Sequence, residues 1–331
     1  MDKVFKFIDD TRNIFWEHKK KEIMVLIDPS TGKAYQHFTQ RVDCPICDID
    51  DNFKVFEKEG FDFVKCKSCG LLHVNPQLKP GVSESFYKKS LMATHWVKLQ
   101  TAPKEREWNA SAKYIPALEV LKELRTNGGR LLDIGCSVGQ FMDLSRNYGW
   151  EPIGVELNKE AAHYARDHYK LPVHIDYLEN LDFPDSSFDL ITMWGVIEHL
   201  SDPNRILKES KRLLRQNGLL LLFVPNGHSL IIRIMRHYNS TVSGRAHLWY
   251  FTPATIGRLL NKNGYSKLRE FSVLPQIHEI IHFLQHNVPY VESECTGEEE
   301  FQLTEIEQQS LAEIVNKRKL GYKLITIAEK R

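Results

Sequence analysis

Residues 131–139, LLDIGCSVG, constrain the fold of this chain more than any other stretch. An apolar run leads there into Asp133 and then into a turn that contains Gly135 and Gly139. A buried strand that ends in a glycine-rich turn lets the backbone approach a ligand closely. A second apolar run ends in Glu156, and an acid at the tip of the next parallel strand can accept hydrogen bonds from ribose hydroxyls. The pattern predicts a nucleotide-type site at the carboxyl ends of parallel strands.

From residue 130 onwards the sequence alternates short apolar runs with amphipathic stretches, which is typical of a parallel α/β sheet. The predicted strands are residues 130–134, 152–156, 172–175, 188–194, 219–224 and 267–274, with a final strand at 322–328. The predicted helices between them are residues 140–148, 159–169, 203–216 and 253–263.

The rest of the chain is organised around this sheet. Residues 1–82 are predicted to hold an N-terminal segment and a small metal-binding module, and residues 83–127 a helical linker or lid. Residues 128–331 form the predicted nucleotide-type domain. Two insertions, 226–250 and 275–320, interrupt the strand–helix rhythm, and insertions on the ligand face commonly form lids or substrate pockets.

Composition and charge exclude some classes of function. The 331 residues are 42% hydrophobic and 26% charged, and a net charge of +1 gives no overall field that favours nucleic acid or an anionic membrane. No run approaches the roughly 18 apolar residues that span a bilayer. The first ten residues place acids where a signal peptide needs an apolar core, so we expect a cytoplasmic protein without a membrane partner. The sequence gives no indication of the oligomeric state.

Four of the six cysteines form two C-x-x-C pairs, Cys44 with Cys47 and Cys66 with Cys69. This spacing is a strong signal for structural zinc, because each tight turn can present two sulfurs to one ion. Four thiolates close a tetrahedron and leave no open position, so we expect no catalysis at this site. Redox-active or coincidental pairs are the alternative, and His73 is a possible substitute ligand.

The nucleotide-type part resembles the class I S-adenosylmethionine-dependent methyltransferases. Residues 133–139 resemble the first motif of that family, and Glu156 its ribose-binding acid. Residues 181–203, LDFPDSSFDLITMWGVIEHLSDP, are similar to the family's segment through the fourth strand and into the next helix. The resemblance covers about residues 110–274 and the last strand. It implies an α/β fold with a doubly wound, Rossmann-like seven-stranded sheet whose last strand is antiparallel.

The resemblance also implies a set of residues that contact S-adenosylmethionine. The loop glycines would lie under the methionine part, Asp133 would anchor its amino group and Glu156 would bind the ribose. The residues after the third strand would flank adenine, and those at the tip of the fourth strand would line the methyl side. The implied cofactor-binding residues are Asp133, Gly135, Cys136, Gly139, Glu156, Leu157, Asp176, Tyr177, Trp194 and Gly195.

A nicotinamide-binding Rossmann domain is the main rival interpretation of this loop. Its G-x-G-x-x-G fingerprint is absent, because the spacing from Gly135 is G-x-x-x-G. The sequence departs from the methyltransferase pattern at Ser137, where the middle glycine is common. We interpret Cys136 as a small buried residue in a tight loop and not as a nucleophile.

The cysteine module together with residues 70–76 resembles the N-terminal zinc-binding segment that precedes some sugar C-methyltransferases. We therefore predict methylation, on oxygen or carbon, of a small polar molecule, with a sugar or nucleotide sugar among the candidates. His247 and His199 are the candidate catalytic residues: His199 follows the predicted fourth strand, His247 precedes the helix predicted at 253–263, and both places lie near the ligand face. In the sugar C-methyltransferases a Glu-His pair occupies the position resembling Ala246-His247. A loop-orienting role for either histidine stays open.

Three alternatives remain at this point. An RNA methyltransferase is possible because residues 60–110 are rich in lysine, although acids are interspersed and an RNA-binding motif is missing. A non-catalytic scaffold could keep the fold and the zinc. His278-Glu279-Ile280-Ile281-His282 fits the H-E-x-x-H pattern of zinc proteases, but a solvated helix face or a polar stripe beside the acceptor is favoured.

Overall fold

The computed structural model describes residues 21–89, 91–125, 128–286 and 303–331. The start of the predicted N-terminal segment and the middle of the predicted 275–320 insertion lie outside the described residues. No helix among the described residues is both long enough and apolar enough to cross a membrane.

Short antiparallel strands build the described N-terminal part of the chain. They are β1 (Ile27–Asp28), β2 (Lys33–Ala34), β3 (Thr39–Gln40), β4 (Asn52–Lys58), β5 (Phe61–Cys66), β6 (Leu72–Val74) and β7 (Gln77–Leu78). β1 pairs with β2 and β3 with β7, while β4, β5 and β6 form a meander. One cysteine pair lies between β3 and β4, and the other at the connection from β5 to β6.

Helices occupy most of the segment that leads from these strands to the central sheet. They are α1 (Pro80–Lys89), α2 (Leu91–Thr101), α3 (Pro103–Asn109), a π-helical segment (Ala110–Tyr114) and α4 (Ile115–Leu124). α4 buries Ala117, Leu118 and Leu121, which lie in the same hydrophobic cluster as Leu131 and Leu219. The apolar face of α4 thus covers the strands that contain these two leucines.

The rest of the described chain alternates strands with helices. The strands are β8 (Gly129–Ile134), β9 (Trp150–Val155), β10 (Val173–His174), β11 (Phe188–Trp194), β12 (Leu214–Pro225), β13 (Trp249–Tyr250), β14 (Tyr265–Val273) and β15 (Lys323–Lys330). The helices are α5 (Gln140–Arg146), α6 (Lys159–Tyr169), α7 (Pro203–Leu213), α8 (Leu230–Met235), α9 (Pro253–Lys262), α10 (Ile277–His286) and α11 (Glu305–Lys317).

Seven of these strands form one sheet in the order β10-β9-β8-β11-β12-β15-β14. The first five are parallel, and β15 is antiparallel to both of its neighbours. The prediction of a doubly wound, Rossmann-like sheet with an antiparallel last strand is therefore confirmed. The strand order reverses between β8 and β11, and sheets of this kind bind ligands beyond the carboxyl ends of the strands at that point.

Several element bounds differ from the prediction, among them the strand predicted at 219–224, which spans Leu214–Pro225, and two of the differences have a direct physical reason. The strand predicted at 172–175 is reduced to Val173–His174, which lies at the edge of the sheet and pairs with β9 alone. α7 ends at Leu213 and not at residue 216, because Leu214 already pairs with Phe188 of β11.

The predicted insertion at 226–250 connects the cysteine-containing part to the central sheet. Its strand β13 pairs with β6, which completes a four-stranded sheet in the order β13-β6-β5-β4. Cys44, Cys66 and Leu71 belong to the same hydrophobic cluster as Leu132 and Met193 of the central sheet. We therefore expect a change in the N-terminal part to affect the packing of the sheet.

Candidate functional site

The turn after β8 has the backbone geometry that its glycines predict. The φ angle is +72° at Gly135 and +80° at Gly139, in the left-handed region that favours glycine. A Cβ atom at Gly135 would lie 2.6 Å from Val196 Cγ2, and one at Gly139 would lie 2.7 Å from Leu171 Cδ1. A larger residue at either position would therefore clash as well as strain the backbone.

Glu156 fastens this turn to the end of β9. Ser137, where the sequence departs from the methyltransferase pattern, also has left-handed backbone, with a φ of +49°. Its amide N–H donates to Glu156 Oε2 at 2.9 Å, and the amide N–H of Asn158 donates to Glu156 Oε1 at 2.7 Å. The carboxylate is 4% exposed, so this one acid holds both turns that meet at the site.

The backbone amides of the turn are largely occupied. The N–H groups of Gly135 and Cys136 donate to Val155 O at 2.8 and 3.2 Å, and that of Gly139 donates to Cys136 O at 3.0 Å. With Ser137 bonded to Glu156, four of the five amides in residues 135–139 are used within the protein. The turn therefore offers few N–H donors to an anionic ligand.

Asp133 at the end of β8 is a buried acid. It is 1% exposed, and its Oδ1 accepts a hydrogen bond of 2.6 Å from the hydroxyl of Thr192 on β11. Burial raises the pKa of Asp133 to about 7, with the nearby charge of Glu156 acting in the same direction and the Thr192 bond opposing it. Its protonation therefore changes within the physiological pH range.

Cys136 has the properties of a packing residue. Its side chain lies in a hydrophobic cluster with Met142 and Ala162. Burial raises the pKa of its thiol well above the usual value, with the charges of Asp133 and Glu156 adding to the effect. A thiol that does not ionise is a poor nucleophile, which agrees with its interpretation as a small buried residue.

The residues predicted to flank adenine lie after β10. Asp176 Oδ1 accepts from the amide N–H of Tyr177 and from Asn180 Nδ2, each at 2.7 Å. The hydroxyl of Tyr177 donates to Glu84 Oε2 of α1 at 3.1 Å. Leu157 follows Glu156 directly and is half-buried. Helix α1 thus reaches this side of the site, a contact that the sequence did not reveal.

Trp194 and Gly195 lie at the tip of β11, beside β8. The Trp194 ring packs against Phe141, Tyr114 and Phe223, with ring centroids 4.8, 4.8 and 5.2 Å away. Its indole Nε1 is buried without a hydrogen-bond partner. Gly195 has a φ of +73°, and a Cβ atom there would lie 3.5 Å from Glu198 Oε1. The structure therefore brings these two residues to the same end of the sheet as Asp133.

The two candidate catalytic histidines are adjacent. His199 ends a short 3₁₀ turn, Ile197–His199, that follows β11, and His247 precedes β13. Their ring centroids are 4.8 Å apart. His199 Nδ1 is 2.7 Å from Ala246 O, and His247 Nδ1 is 3.0 Å from Thr241 O. The sequence placed both histidines near the ligand face but did not show that they touch.

A buried pair of opposite charges lies next to these histidines. Glu198 is fully buried, and its Oε1 is 3.6 Å from Lys323 Nζ at the start of β15. Burial lowers the pKa of Lys323, and the attraction of Glu198 opposes that shift. In the sequence, the position of Glu198 directly before His199 was the only sign of a charged group beside the histidines. Nothing in the sequence indicated that Lys323 would lie there.

The four cysteines of the N-terminal part converge. Their sulfur atoms all lie within 4.8 Å of one another. Cys44 Sγ is 3.5 Å from Cys69 Sγ, and Cys66 Sγ is 3.9 Å from Cys47 Sγ. Burial raises the pKa of the Cys44 thiol to about 11. His73, the possible substitute ligand, packs against Trp249 with ring centroids 5.6 Å apart. It is not part of the group of potential metal ligands that the four cysteines form.

The H-E-x-x-H segment lies in α10. Among the described residues, the groups with at least three potential metal ligands are the four cysteines and the set Glu198, His199 and His247. His278 and His282 therefore do not meet a third ligand within the part of the chain that the structure describes. This arrangement gives no support to a zinc-protease centre.

Comparisons with known proteins concern the sheet-containing part. A family model described as a methyltransferase domain matches residues 106–270. A probable S-adenosylmethionine-dependent methyltransferase of Mycobacterium tuberculosis is 35% identical over 97 residues, which are 29% of this chain and 35% of that protein. A ubiquinone biosynthesis O-methyltransferase of Coxiella burnetii is 26% identical over 160 residues, which are 44% of this chain and 65% of that protein. The chain thus spans about a third of the length of the first of these relatives.

Solved structures also resemble this chain. A methyltransferase of Thermotoga maritima, described as a possible histamine N-methyltransferase, aligns with a TM-score of 0.47 and 22% identity. That alignment covers 71% of this chain and 99% of the other.

Proposed function

We propose that the protein is a class I methyltransferase that transfers a methyl group from S-adenosylmethionine to a small polar acceptor, on the premise that a methyltransferase-domain model matches residues 106–270. The first curated relative is itself named as a probable S-adenosylmethionine-dependent methyltransferase. The name of the Coxiella relative, an O-methyltransferase, supports an oxygen acceptor. We propose a sugar or nucleotide sugar as the acceptor class, with methylation on oxygen or carbon.

The charge of the site favours S-adenosylmethionine over a nicotinamide dinucleotide. S-adenosylmethionine brings a sulfonium and an ammonium group, whereas a nicotinamide dinucleotide brings a pyrophosphate. Asp133 and Glu156 are both buried at the turn, and four amides of residues 135–139 are already bonded. Buried carboxylates repel phosphate and attract cations, and a dinucleotide needs vacant N–H donors at this helix start. The two buried carboxylates and the shortage of vacant N–H donors therefore fit the cationic cofactor.

The residues of the chain have distinct tasks in this proposal. Asp133 holds the amino group of the cofactor, Glu156 holds its ribose, and the turn at Gly135 lets the backbone come close. Bound S-adenosylmethionine supplies an electrophilic methyl group on a positively charged sulfur. His199 and His247, on the adjacent side of the site, act on the acceptor and promote loss of its proton.

We further propose that the four cysteines hold a structural zinc ion. The edge of a ZnS₄ tetrahedron with Zn–S bonds of about 2.3 Å is about 3.8 Å long. The sulfur pairs Cys44–Cys69 and Cys66–Cys47 lie at 3.5 and 3.9 Å, close to that edge. Burial raises the pKa of the Cys44 thiol, so a thiolate there would be stabilised by a compensating charge such as that of a zinc ion.

Titration calorimetry tests the cofactor. We expect the purified protein to bind S-adenosylmethionine at one site per chain and to show no heat of binding with NADH under the same conditions. The reason is the pair of buried acids, Asp133 and Glu156, at a turn with few open amides. Binding of NADH without binding of S-adenosylmethionine would overturn the proposed function.

His247→Gln should lower turnover at least roughly tenfold while leaving the affinity for S-adenosylmethionine unchanged. Glutamine keeps the size and a polar end but provides no imidazole for the acceptor. Steady-state assays on candidate sugars, with calorimetry for cofactor affinity, measure the two effects separately. His163→Gln, at an exposed position of α6, is the matched control and should keep full turnover. Unchanged turnover in the His247 variant would remove this residue from the mechanism.

A further inference from the structure

Three hydrogen bonds clamp the segment after β11 to the segment before β13. The amide N–H of Leu248 donates to Glu198 O at 2.8 Å, and Trp249 Nε1 donates to Leu200 O at 2.7 Å. His199 Nδ1 lies 2.7 Å from Ala246 O between them. These bonds hold two regions that are distant in the sequence in one register. The proximity of His199 and His247 is thus built into the backbone.

The backbone also fixes the tautomer of both histidines. The carbonyl oxygens of Ala246 and Thr241 can only accept, so Nδ1 carries the proton in His199 and in His247. When such a ring is neutral, its lone pair is on Nε2. A carbonyl that accepts from one ring nitrogen while the other nitrogen faces a metal is the usual arrangement of metal-binding histidines.

Glu198 is paired with the charge of Lys323, but its carboxylate oxygens lack hydrogen bonds. The side chain is fully buried, and neither carboxylate oxygen has a hydrogen-bond partner. Lys323 Nζ, at 3.6 Å, is beyond hydrogen-bond distance. A buried carboxylate whose oxygens accept no hydrogen bond is costly, and a directly bound cation would reduce that cost. One oxygen of Glu198 and one nitrogen each of His199 and His247 lie within 4.8 Å of one another.

We propose that Glu198, His199 and His247 form a divalent-cation site, separate from the four cysteines. Two imidazoles and one carboxylate are a ligand set for a transition-metal ion, with open positions for other ligands. Three ligand atoms around one ion at about 2.1 Å are about 3.0–3.6 Å apart, so ligand atoms that lie up to 4.8 Å apart would approach one another by about 1–2 Å on binding. His199 is exposed and gives the ion a route from solvent.

The place of this site suggests what the cation does. Glu198 lies 3.5 Å from the position of a Cβ atom at Gly195, on the side where the proposed function places the methyl acceptor. With the ion bound, the two histidines promote loss of the acceptor proton through the ion and do not take up the proton themselves. A cation there would bind an acceptor oxygen and lower the pKa of an acceptor hydroxyl, whose proton then leaves to solvent. This role rests on the proposed function and narrows the acceptor to molecules with an oxygen ligand, whereas cation binding itself does not depend on it.

Manganese titration followed by electron paramagnetic resonance tests the site in the full-length protein with its cysteine metal in place. Mn²⁺ prefers oxygen and nitrogen ligands over thiolates, so it reports on this site and not on the cysteines. We expect the protein to bind one Mn²⁺ per chain. His199→Ala and His247→Ala should each weaken binding at least tenfold, and His163→Ala should leave it unchanged.

The outcomes distinguish a failure of the proposed cation site from a failure of the proposed function. Calorimetry with S-adenosylmethionine on the same samples shows whether each variant keeps its fold and its cofactor site. Absence of stoichiometric Mn²⁺, or equal binding by the wild type and both variants, would overturn the cation site while leaving the proposed function standing. Binding of Mn²⁺ by a protein that does not bind S-adenosylmethionine would support the cation site and overturn the proposed function.

Discussion

Cys66→Ser should remove the zinc ion and destabilise the whole chain, lowering the free energy of unfolding by several kcal/mol. Zinc contributes on the order of 10 kcal/mol to the folding of small Cys₄-type modules, and the total stability of a domain is about 5–15 kcal/mol. Cys66 is 1% exposed and shares its hydrophobic cluster with Leu132 and Met193 of the central sheet. Loss of the metal should therefore destabilise the central sheet as well as the N-terminal part.

Chemical denaturation combined with elemental analysis measures this effect. The wild type should carry one zinc ion per chain, and treatment with a strong chelator should reproduce the destabilisation caused by the variant. Cys136→Ser is the matched control, because it also places a hydroxyl at a buried cysteine but should leave the zinc content at one. Purified wild type without zinc, or full stability after chelation, would contradict the proposal.

The periodicity of the sequence was enough to predict the central sheet. The strands β8, β9, β11 and β12 each contain an apolar run, and the helices that follow β8, β9 and β11 have a separate pattern of buried and exposed positions. Local patterns of this kind report directly on whether a segment is buried on two faces or on one. The left-handed backbone at Ser137 was not predicted, because the sequence showed only that a serine stands where a glycine is common. The ends of strands and helices were less predictable, because pairing partners such as Phe188 and Leu214 decide them.

The long-range contacts could not be predicted from one sequence. The pairing of Trp249 with His73 joins two segments whose local patterns contain no information about each other. The same is true of Lys323 and Glu198, which meet because β15 inserts beside β12. The individual residues of the candidate site were foreseeable from motifs. Their assignment to cofactor, acceptor or cation stays a prediction, since it depends on ligands.

Asp133→Asn should weaken the binding of S-adenosylmethionine by about 10- to 100-fold at pH 8, the loss expected for one hydrogen bond to a charged group. In the wild type the affinity should also fall as the pH falls below about 7, because Asp133, whose pKa is raised to about 7, must lose its proton to hold the ammonium group. One proton gives up to about a tenfold change per pH unit, so pH 5 should be about 100-fold weaker than pH 8. Calorimetry across this range measures both effects, and the variant should show a flatter pH profile.

The same group should make the unliganded protein less stable as the pH rises. The pKa of Asp133 is higher in the folded state than the value of about 3.9 in an unfolded chain. Its contribution to stability is therefore fully present below about pH 3.9 and is lost as the pH rises through about 7. Between pH 5 and pH 8 the wild type should lose about 2–3 kcal/mol more than Asp133→Asn does. Denaturant unfolding at the two pH values measures this difference.

Asp167→Asn, at an exposed position of α6, is the control for both measurements and should show the pH dependence of the wild type in each.

The pH dependences of stability and of cofactor affinity are linked, because the proton that stabilises the unliganded fold at low pH is the one that the cofactor must displace. Binding below pH 7 should therefore release up to one proton, which appears as a dependence of the binding heat on the ionisation enthalpy of the buffer. An Asp133→Asn protein that keeps the pH profile of the wild type would show that another group titrates, and would remove Asp133 from contact with the cofactor's ammonium.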